Sequence, residues 1–498
     1  MQDFRKRLLH GTIWIGASRL LVNLAGLVST LVLARFLVPA DFGLVGIALT
    51  VTAVVTSLTE LSLNAALIQH PSPLDRHFDT AFTLNLLRAV ILGAVIAVLA
   101  VPVARSYHDE RLTQVILFVG GTTLLSGFAN PKLVSFSRIL QFRQDFIINV
   151  SQRIVALGVS AAIAILYRSY WALVLGNAAA QLLAVILSYV LLPYRPRFTL
   201  AGGRDLFSFS VWLSFVQVIN TVNYKFDQLV IGYVLGNASL GYYAVGDNLA
   251  ALATREATAP LAQTLFPGFS RLAAERSRLI AAYQRAQSLL GLIGLPFGCG
   301  FAVVAKPFVL LAMGEKWRPA ILLIQLLSGI FALQTLSSTL QPLAMAMGNT
   351  RRLFHRDLIN FVIRLPLLLL GIFLGGLIGI AVARCVSGVA ATILNMELAR
   401  RLLGVSIADQ LRVNARALAG AAVMMPGVAV ESLAFATPAT PLGLAAQIAI
   451  LVATGASLYV GVVAGLWWAA GRPDGAEREV ANLLRRILGR GSLPLSPP

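Results

Sequence analysis

Seven basic side chains fall inside long apolar runs of this 498-residue chain: Arg19, Arg88, Arg153, Lys225, Arg255, Arg364 and Arg384. Four acids, Glu60, Asp227, Asp247 and Glu256, share that setting. An ionised side chain at mid-membrane costs from about 2.5 kcal/mol upward, so such residues turn toward a cavity or a partner, not toward lipid. Their spacing puts them on helix faces. Arg19, Asn23, Gly26 and Thr30 recur every three or four residues, and Thr56, Glu60 and Asn64 do the same. Gln217, Asn220, Tyr224, Asp227 and Gln228 form another polar line with Lys225 at its edge, followed by Asp247, Asn248, Arg255 and Glu256, while Asn85 accompanies Arg88. Such groups either line a cavity or form buried ion pairs and hydrogen bonds that hold helices together. Cations outnumber acids here, which suits an anionic passenger, phosphate in particular. Arg19, Arg88 and Arg255 are the leading candidates to meet it. For Arg384 and Glu397 the pairing reading is favoured, since both lie toward the end of their span and can snorkel.

Other chemistry finds no foothold. The chain has no Walker A motif, no GxSxG, no HExxH and no paired acids on an outward loop. Its five histidines, His10, His70, His77, His108 and His355, fall in loops or tails without ligand spacing. Cys299 and Cys385 lie in apolar runs, with neither a disulfide framework nor a zinc site implied. The expectation is a protein with no catalytic residues, no metal and no cofactor.

The elements that must position these charges are membrane spans. Hydrophobic residues make up 57% of the chain, charged residues only 12%, and the mean hydropathy is +0.79. A soluble protein carries about a quarter charged residues, so this is an integral membrane protein. The net charge of +19 would suit nucleic acid on a polar surface, but no such surface exists here. At about 20 apolar residues per crossing, fourteen spans run from about residue 11 to about residue 470. The first follows Arg5, Lys6 and Arg7, is interrupted by Arg19 and is too long for a cleaved signal. With the N-terminus inside, cytoplasmic segments hold 26 of the 40 Lys and Arg and the opposite side seven, so both termini are expected in the cytoplasm.

The chain also matches itself. At an offset of 198, Trp14 meets Trp212, Leu37 meets Leu235 and Gly43 meets Gly241; at 211, Pro131 meets Pro342, Asn149 meets Asn360 and Arg153 meets Arg364. Each half holds six spans, an even number, so the halves share one orientation about an axis along the membrane normal. The expected fold is an all-α polytopic membrane protein: a six-helix bundle over 1–197, a second over 198–403, two further spans over 404–471 and a cytoplasmic tail over 472–498. Gly371, Gly375, Gly376 and Gly379 suggest close helix packing there.

VNYKFDQLVIGYVLGNASLGYYAVGD at 222–247, LFPGFSRL at 265–272, MGEKW at 313–317, ARFLVPADFGLVGIA at 34–48 and SLNAALIQ at 62–69 resemble the polysaccharide transporter family along nearly the whole chain. These are the Wzx-type oligosaccharide flippases of the multidrug/oligosaccharidyl-lipid/polysaccharide exporter superfamily. The resemblance implies two six-helix bundles set as a V and transport of undecaprenyl-diphosphate-linked oligosaccharide across the bacterial inner membrane by alternating access, for O-antigen, capsule or exopolysaccharide. Arg19, Arg88 and Arg255 would then contact diphosphate. Glu60, Asp227, Asp247 and Glu256 would carry coupling protons or sodium or orient the arginines, and Lys225 would pair with an acid. Gln217, Asn220 and Tyr224 would touch sugar or only pack. Partners would be the lipid-linked oligosaccharide, membrane lipids, a polysaccharide polymerase and export machinery, with no nucleic acid. A drug or metabolite exporter of the same superfamily fits a cationic cavity less well, and a non-transporting subunit of an assembly complex is the alternative from another class.

Overall fold

The structure is a computed structural model describing residues 2–59, 63, 67, 73–138, 141–201, 203–434, 438 and 440–487; the side chains of 2–13, 15, 203–220, 222–224 and 483–487 are outside that description. Every element among the described residues is helical. Hydrocarbon offers no partner to a backbone N–H or C=O, so an apolar run must satisfy its own groups by coiling. Among the described residues, eleven helices are long and apolar enough to cross a membrane, or twelve with one bent pair counted as a span. Their outer faces carry the apolar surface this requires: Val98 is 74% exposed, Phe373 78% and Leu433 86%. The chain is a multi-pass membrane protein.

Two compact units divide the chain, Met1–Val245 and Gly246–Pro498. The first opens with α1 (Gln2–Phe36) and α2 (Pro39–Leu58). Val38 is extended and Pro39 takes the first helical position, where its missing N–H costs nothing. α3 (Asp75–Ser106), α4 (Arg111–Gly127) and the short α5 (Val134–Arg138) follow, with a 3-10 turn at Pro131–Leu133 bending the α4–α5 span by 59°. α6 (Arg143–Tyr167) and α7 (Trp171–Leu191) turn on Arg168, which is left-handed. α6 and α7 pack together, α1 packs on α6, and α4 joins α3, α2 and α7.

α8 (Gly203–Leu272) is too long for one crossing and breaks at Gly236, whose φ of 78° and ψ of 175° suit only glycine. Under the 198-residue offset, Gly236 corresponds to Val38, the residue that separates α1 from α2. A pair of close approaches follows the same offset. A Cβ on Gly43 would overlap the Asn237 carbonyl, and one on Gly241 would overlap the Pro39 carbonyl. Pro39 and Asn237 are themselves 198 apart, so both contacts are one interaction repeated about a local two-fold. The α3–α4 turn reinforces this knot. Tyr107 donates to the Leu229 carbonyl at 2.9 Å, Asn237 donates to Asp109 at 2.8 Å, and Arg111 pairs with Asp109 at 2.7 Å.

In the second unit α9 (Arg276–Ala312) packs against α10 (Ala320–Gln334), and a 3-10 turn at Thr335–Ser337 leads to α11 (Leu340–Ala346). The helix, 3-10 turn and helix of Arg111–Arg138 thus recur here. α12 (Thr350–Leu403) breaks at Gly375 and Gly376, and its arms cross so closely that a Cβ on Gly371 or Gly379 would strike the other's carbonyl. The close packing expected of the four glycines is present at Gly371 and Gly379, while Gly375 and Gly376, with nothing within 4 Å of an added Cβ, form the break instead. α13 (Ile407–Val413), α14 (Ala415–Ala434), α15 (Pro441–Ala469) and α16 (Ala476–Ile487) complete the chain. α14 and α15 pack on each other and on α9, where Leu295, Met424, Leu451 and Tyr459 share a buried core. Arg416 pairs with Glu477 at 2.7 Å and Arg285 pairs with Glu479, tying α16 to α14 and α9.

Candidate functional site

Within the first unit, α1, α2, α4, α6 and α7 enclose a cavity of about 930 Å³. Each helix presents its polar stripe. α1 contributes Ser18, Arg19 and Asn23, α2 contributes Thr52 and Thr56, and α4 contributes Thr122, Thr123 and Ser126. From α6 come Asp145, Asn149, Gln152 and Arg153, spaced at three and four residues on one face, and from α7 come Asn177 and Gln181. Trp14 closes one wall, edge-on to Phe146 at 4.7 Å between ring centres.

Arg153 lies ten residues into α6 from Arg143, about 15 Å along the helix and near its middle. α1 makes room for it with Gly26, where a Cβ would collide with the guanidinium. Its Nε is buried without a hydrogen bond, as is the Thr52 hydroxyl, and Arg153 forms no ion pair among the described residues. Among the described residues, two arginines and one aspartate line the cavity. Wall and charge together suit a polar, hydroxyl-rich ligand with an anionic group.

The residues singled out in the sequence fall into different settings. Arg19 lines the cavity. Arg88 instead donates to the Thr59 hydroxyl at 3.2 Å and the Thr56 carbonyl at 3.0 Å, so a cation sits where the α2 dipole ends negative. Arg255 belongs to the second unit, 54% exposed and paired with Glu256 at 3.3 Å. Lys225 donates to Gln228 at 3.4 Å, and Thr50 donates to the same amide at 2.8 Å. Asp227 is buried and accepts the Tyr243 hydroxyl at 3.1 Å. Asp247 pairs with Arg384 at 3.4 Å, the kind of pairing favoured for this arginine, and Arg384 lies over the Phe331 ring. Glu60 and the side chains of Gln217, Asn220 and Tyr224 lie outside the described residues.

The α4, α6 and α7 contributions were not singled out as a site in the sequence, although Asp145, Asn149 and Arg153 carried the helical spacing of the other polar faces. Outside the spans, Arg111 beside Asp109 holds that carboxyl below the usual carboxylate range, aided by Asn237. Burial pushes the Tyr107 hydroxyl up to about 12. Among the described residues no group of histidines, cysteines and acids has the arrangement of a metal site.

Residues 32–322 match the family model described as "Polysaccharide biosynthesis protein". Lipopolysaccharide biosynthesis protein WzxC of Escherichia coli (strain K12) is 23% identical over 406 residues, covering 79% of this chain and 81% of the relative. Succinoglycan biosynthesis transport protein ExoT of Rhizobium meliloti (strain 1021) is 24% identical over 361 residues, covering 71% and 72%. Among solved structures, lipid II flippase MurJ in an inward closed conformation shares the fold at a TM-score of 0.71 and 12% identity, covering 93% of this chain and 100% of that one.

Proposed function

Because the chain belongs to the polysaccharide biosynthesis protein family, we propose that it moves lipid-linked oligosaccharides from one membrane leaflet to the other. The observation that carries this is the polar, cation-bearing cavity walled by five membrane helices. A sugar unit cannot cross hydrocarbon unaided, because its hydroxyls and charges would lose water without replacement; amide, hydroxyl and guanidinium groups on the wall supply that replacement. The passenger is undecaprenyl-diphosphate-linked repeat units, carried from the cytoplasmic to the periplasmic leaflet of a bacterial inner membrane for exopolysaccharide, capsule or O-antigen assembly. The bias of Lys and Arg puts both termini in the cytoplasm. The chain itself is no enzyme, and a polymerase and export machinery would act on what it delivers.

Alternating access supplies the route. Fourteen crossings are supported by the bent pair taken as one span and by the breaks within two of the long helices. The repeated Gly43–Asn237 and Gly241–Pro39 contact supports two six-helix bundles, 1–197 and 198–403, related by a pseudo-two-fold along the membrane normal. The knot lies on the outward side of that topology and closes it; its release opens the periplasmic exit.

Arg19 faces the passenger in the cavity, Arg255 meets the diphosphate, and Arg88 secures the end of α2. Asp227, Asp247 and Glu256 act chiefly as charge and hydrogen-bond partners of Tyr243, Arg384 and Arg255. Cells depleted of the protein test the proposal: undecaprenyl-linked repeat units should accumulate on the cytoplasmic side while polymer is lost. Polymer loss without that accumulation would contradict it.

A further inference from the structure

We infer that residues 192–201, the stretch between α7 and α8, form a docking site for anionic phospholipid headgroups on the first unit. The site is separate from the cavity and from what the chain transports. It rests only on the cytoplasmic placement that the bias of Lys and Arg gives this stretch.

The stretch reads LPYRPRFTLA, and Pro193 and Pro196 keep it out of helix. It is nonetheless held in place, by α3. Tyr194 donates its hydroxyl to Asp79, the Arg197 N–H donates to the same carboxylate oxygen at 3.4 Å, and the Thr199 N–H donates to the Thr83 hydroxyl at 3.1 Å. Asp79 and Thr83 are one turn apart, so one face of α3 takes the whole stretch. Between them Phe82 meets the rings of Tyr194 and Phe198, at 6.4 Å and 6.0 Å between centres. Lys132, from the 3-10 turn before α5, lies 5.4 Å from the centre of the Tyr194 ring and pairs with Asp75 at 2.7 Å. Asn130 donates to the Ser188 and Leu192 carbonyls at 3.0 Å and 2.7 Å, which fixes where the chain leaves α7.

What this fastening leaves outward is basic and apolar. Arg195 and Arg197 are exposed, as is Arg76, which shares the α3 face of Asp79 and Thr83. Phe198 is 75% exposed and Leu200 59%. The acids of this face are already engaged: Asp79 is buried beneath Tyr194, and Asp75 is held by Lys132 with Arg197 adding to the attraction. Arg76 and Arg195 form no ion pair among the described residues. α7 ends at Leu191, α3 starts at Asp75 and α8 starts at Gly203, so the patch stands at the ends of membrane helices, where hydrocarbon gives way to headgroups. A guanidinium fork matches two phosphate oxygens, and each basic side chain beside an anionic leaflet strengthens binding about fivefold. Phe198 and Leu200 bury apolar surface at the acyl boundary. An acidic protein segment would satisfy the arginines alone; the apolar pair beside them selects a lipid surface.

The test uses the full chain with Cys299 and Cys385 changed to alanine and a fluorophore on Ala201→Cys, an exposed position at the end of the stretch. It is placed in phosphatidylethanolamine nanodiscs doped with phosphatidylglycerol or phosphatidylcholine brominated near the headgroup. At equal mole fraction, brominated phosphatidylglycerol should quench about fivefold more strongly than brominated phosphatidylcholine, and high salt should shrink the difference. Arg76→Gln, Arg195→Gln and Arg197→Gln together should make the two lipids equal. Phe198→Ser with Leu200→Ser should lower quenching by both alike; thermal unfolding of each variant shows that it is folded. Equal quenching before any arginine is changed, or a preference that survives the three changes, overturns the assignment. So does a fluorophore quenched by iodide from water and by neither lipid, since the stretch would then be free for a soluble partner. Release of phosphatidylglycerol by an equivalent of undecaprenyl diphosphate also overturns it, the oxyanion then being that of the passenger. Nanodiscs carry the same lipids on both faces, so the topology is tested apart: labelling of Ala201→Cys from outside intact cells would overturn the cytoplasmic placement and leave the lipid site standing.

Discussion

Arg88 and Arg255 are both arginines within apolar runs, and their settings predict opposite consequences of removal. Arg88→Ala strips two donors from the end of α2 and should lower stability by about 1–2 kcal/mol, read as a drop in the thermal midpoint in detergent, with translocation per folded molecule unchanged. Arg255→Ala should leave the midpoint near wild type, because an exposed ion pair contributes little, while slowing translocation about tenfold. Asp109 gives a pH signature. Arg111 depresses its folded pKa below the unfolded value of about 3.9, so its stabilisation is fully present above that value and is lost as pH falls through the folded one. Asp109→Asn should therefore lower the midpoint at pH 7 and flatten its fall in acid. The sequence showed which charges lie among apolar residues and which helix face each takes. It did not show what stands opposite that face, and this separates Arg19, on a cavity, from Arg88, on a helix end. Arg153 was legible as a helical polar position, but the room that Gly26 leaves for its guanidinium is a fact of tertiary packing.

At the scale of elements, the breaks were more legible than the contacts they permit. A run as long as Gly203–Leu272 exceeds any bilayer, and Gly236 offers the conformation that interrupts it; the same holds for Gly375 and Gly376 in Thr350–Leu403. The mutual approach of Gly43 and Gly241 to the Asn237 and Pro39 carbonyls is an inter-helix fact that spacing cannot give, although the 198-residue offset relates the four residues in pairs. Gly43→Ala should cost about 2 kcal/mol or more, because backbone cannot move aside as a flexible side chain would. Gly158→Ala is the control: nothing lies within 4 Å of its added Cβ, and alanine in place of a mid-helix glycine should leave stability unchanged or raise it by up to about 1 kcal/mol. Thermal midpoints of the two variants check both. The docking of α16 was hidden as well, since Glu477 and Glu479 read as part of a solvated tail and meet Arg416 and Arg285 only in the fold.

For the molecule as a whole, composition alone required a multi-pass helical protein, and the family match and the likeness to a flippase fold agree with that requirement. The cavity in the first unit adds what composition lacked, a place inside the membrane where polar groups from five helices converge. Transport across the membrane is the central claim, and it is tested most directly by purified protein in sealed vesicles. The vesicles are loaded with fluorescent undecaprenyl-diphosphate-linked oligosaccharide, and the fraction reaching the opposite leaflet is followed with a membrane-impermeant quencher. Protein-containing vesicles should equilibrate the two leaflets far faster than protein-free ones, with Arg19→Ala slowed at equal protein content. Equal rates with and without the protein would contradict the account.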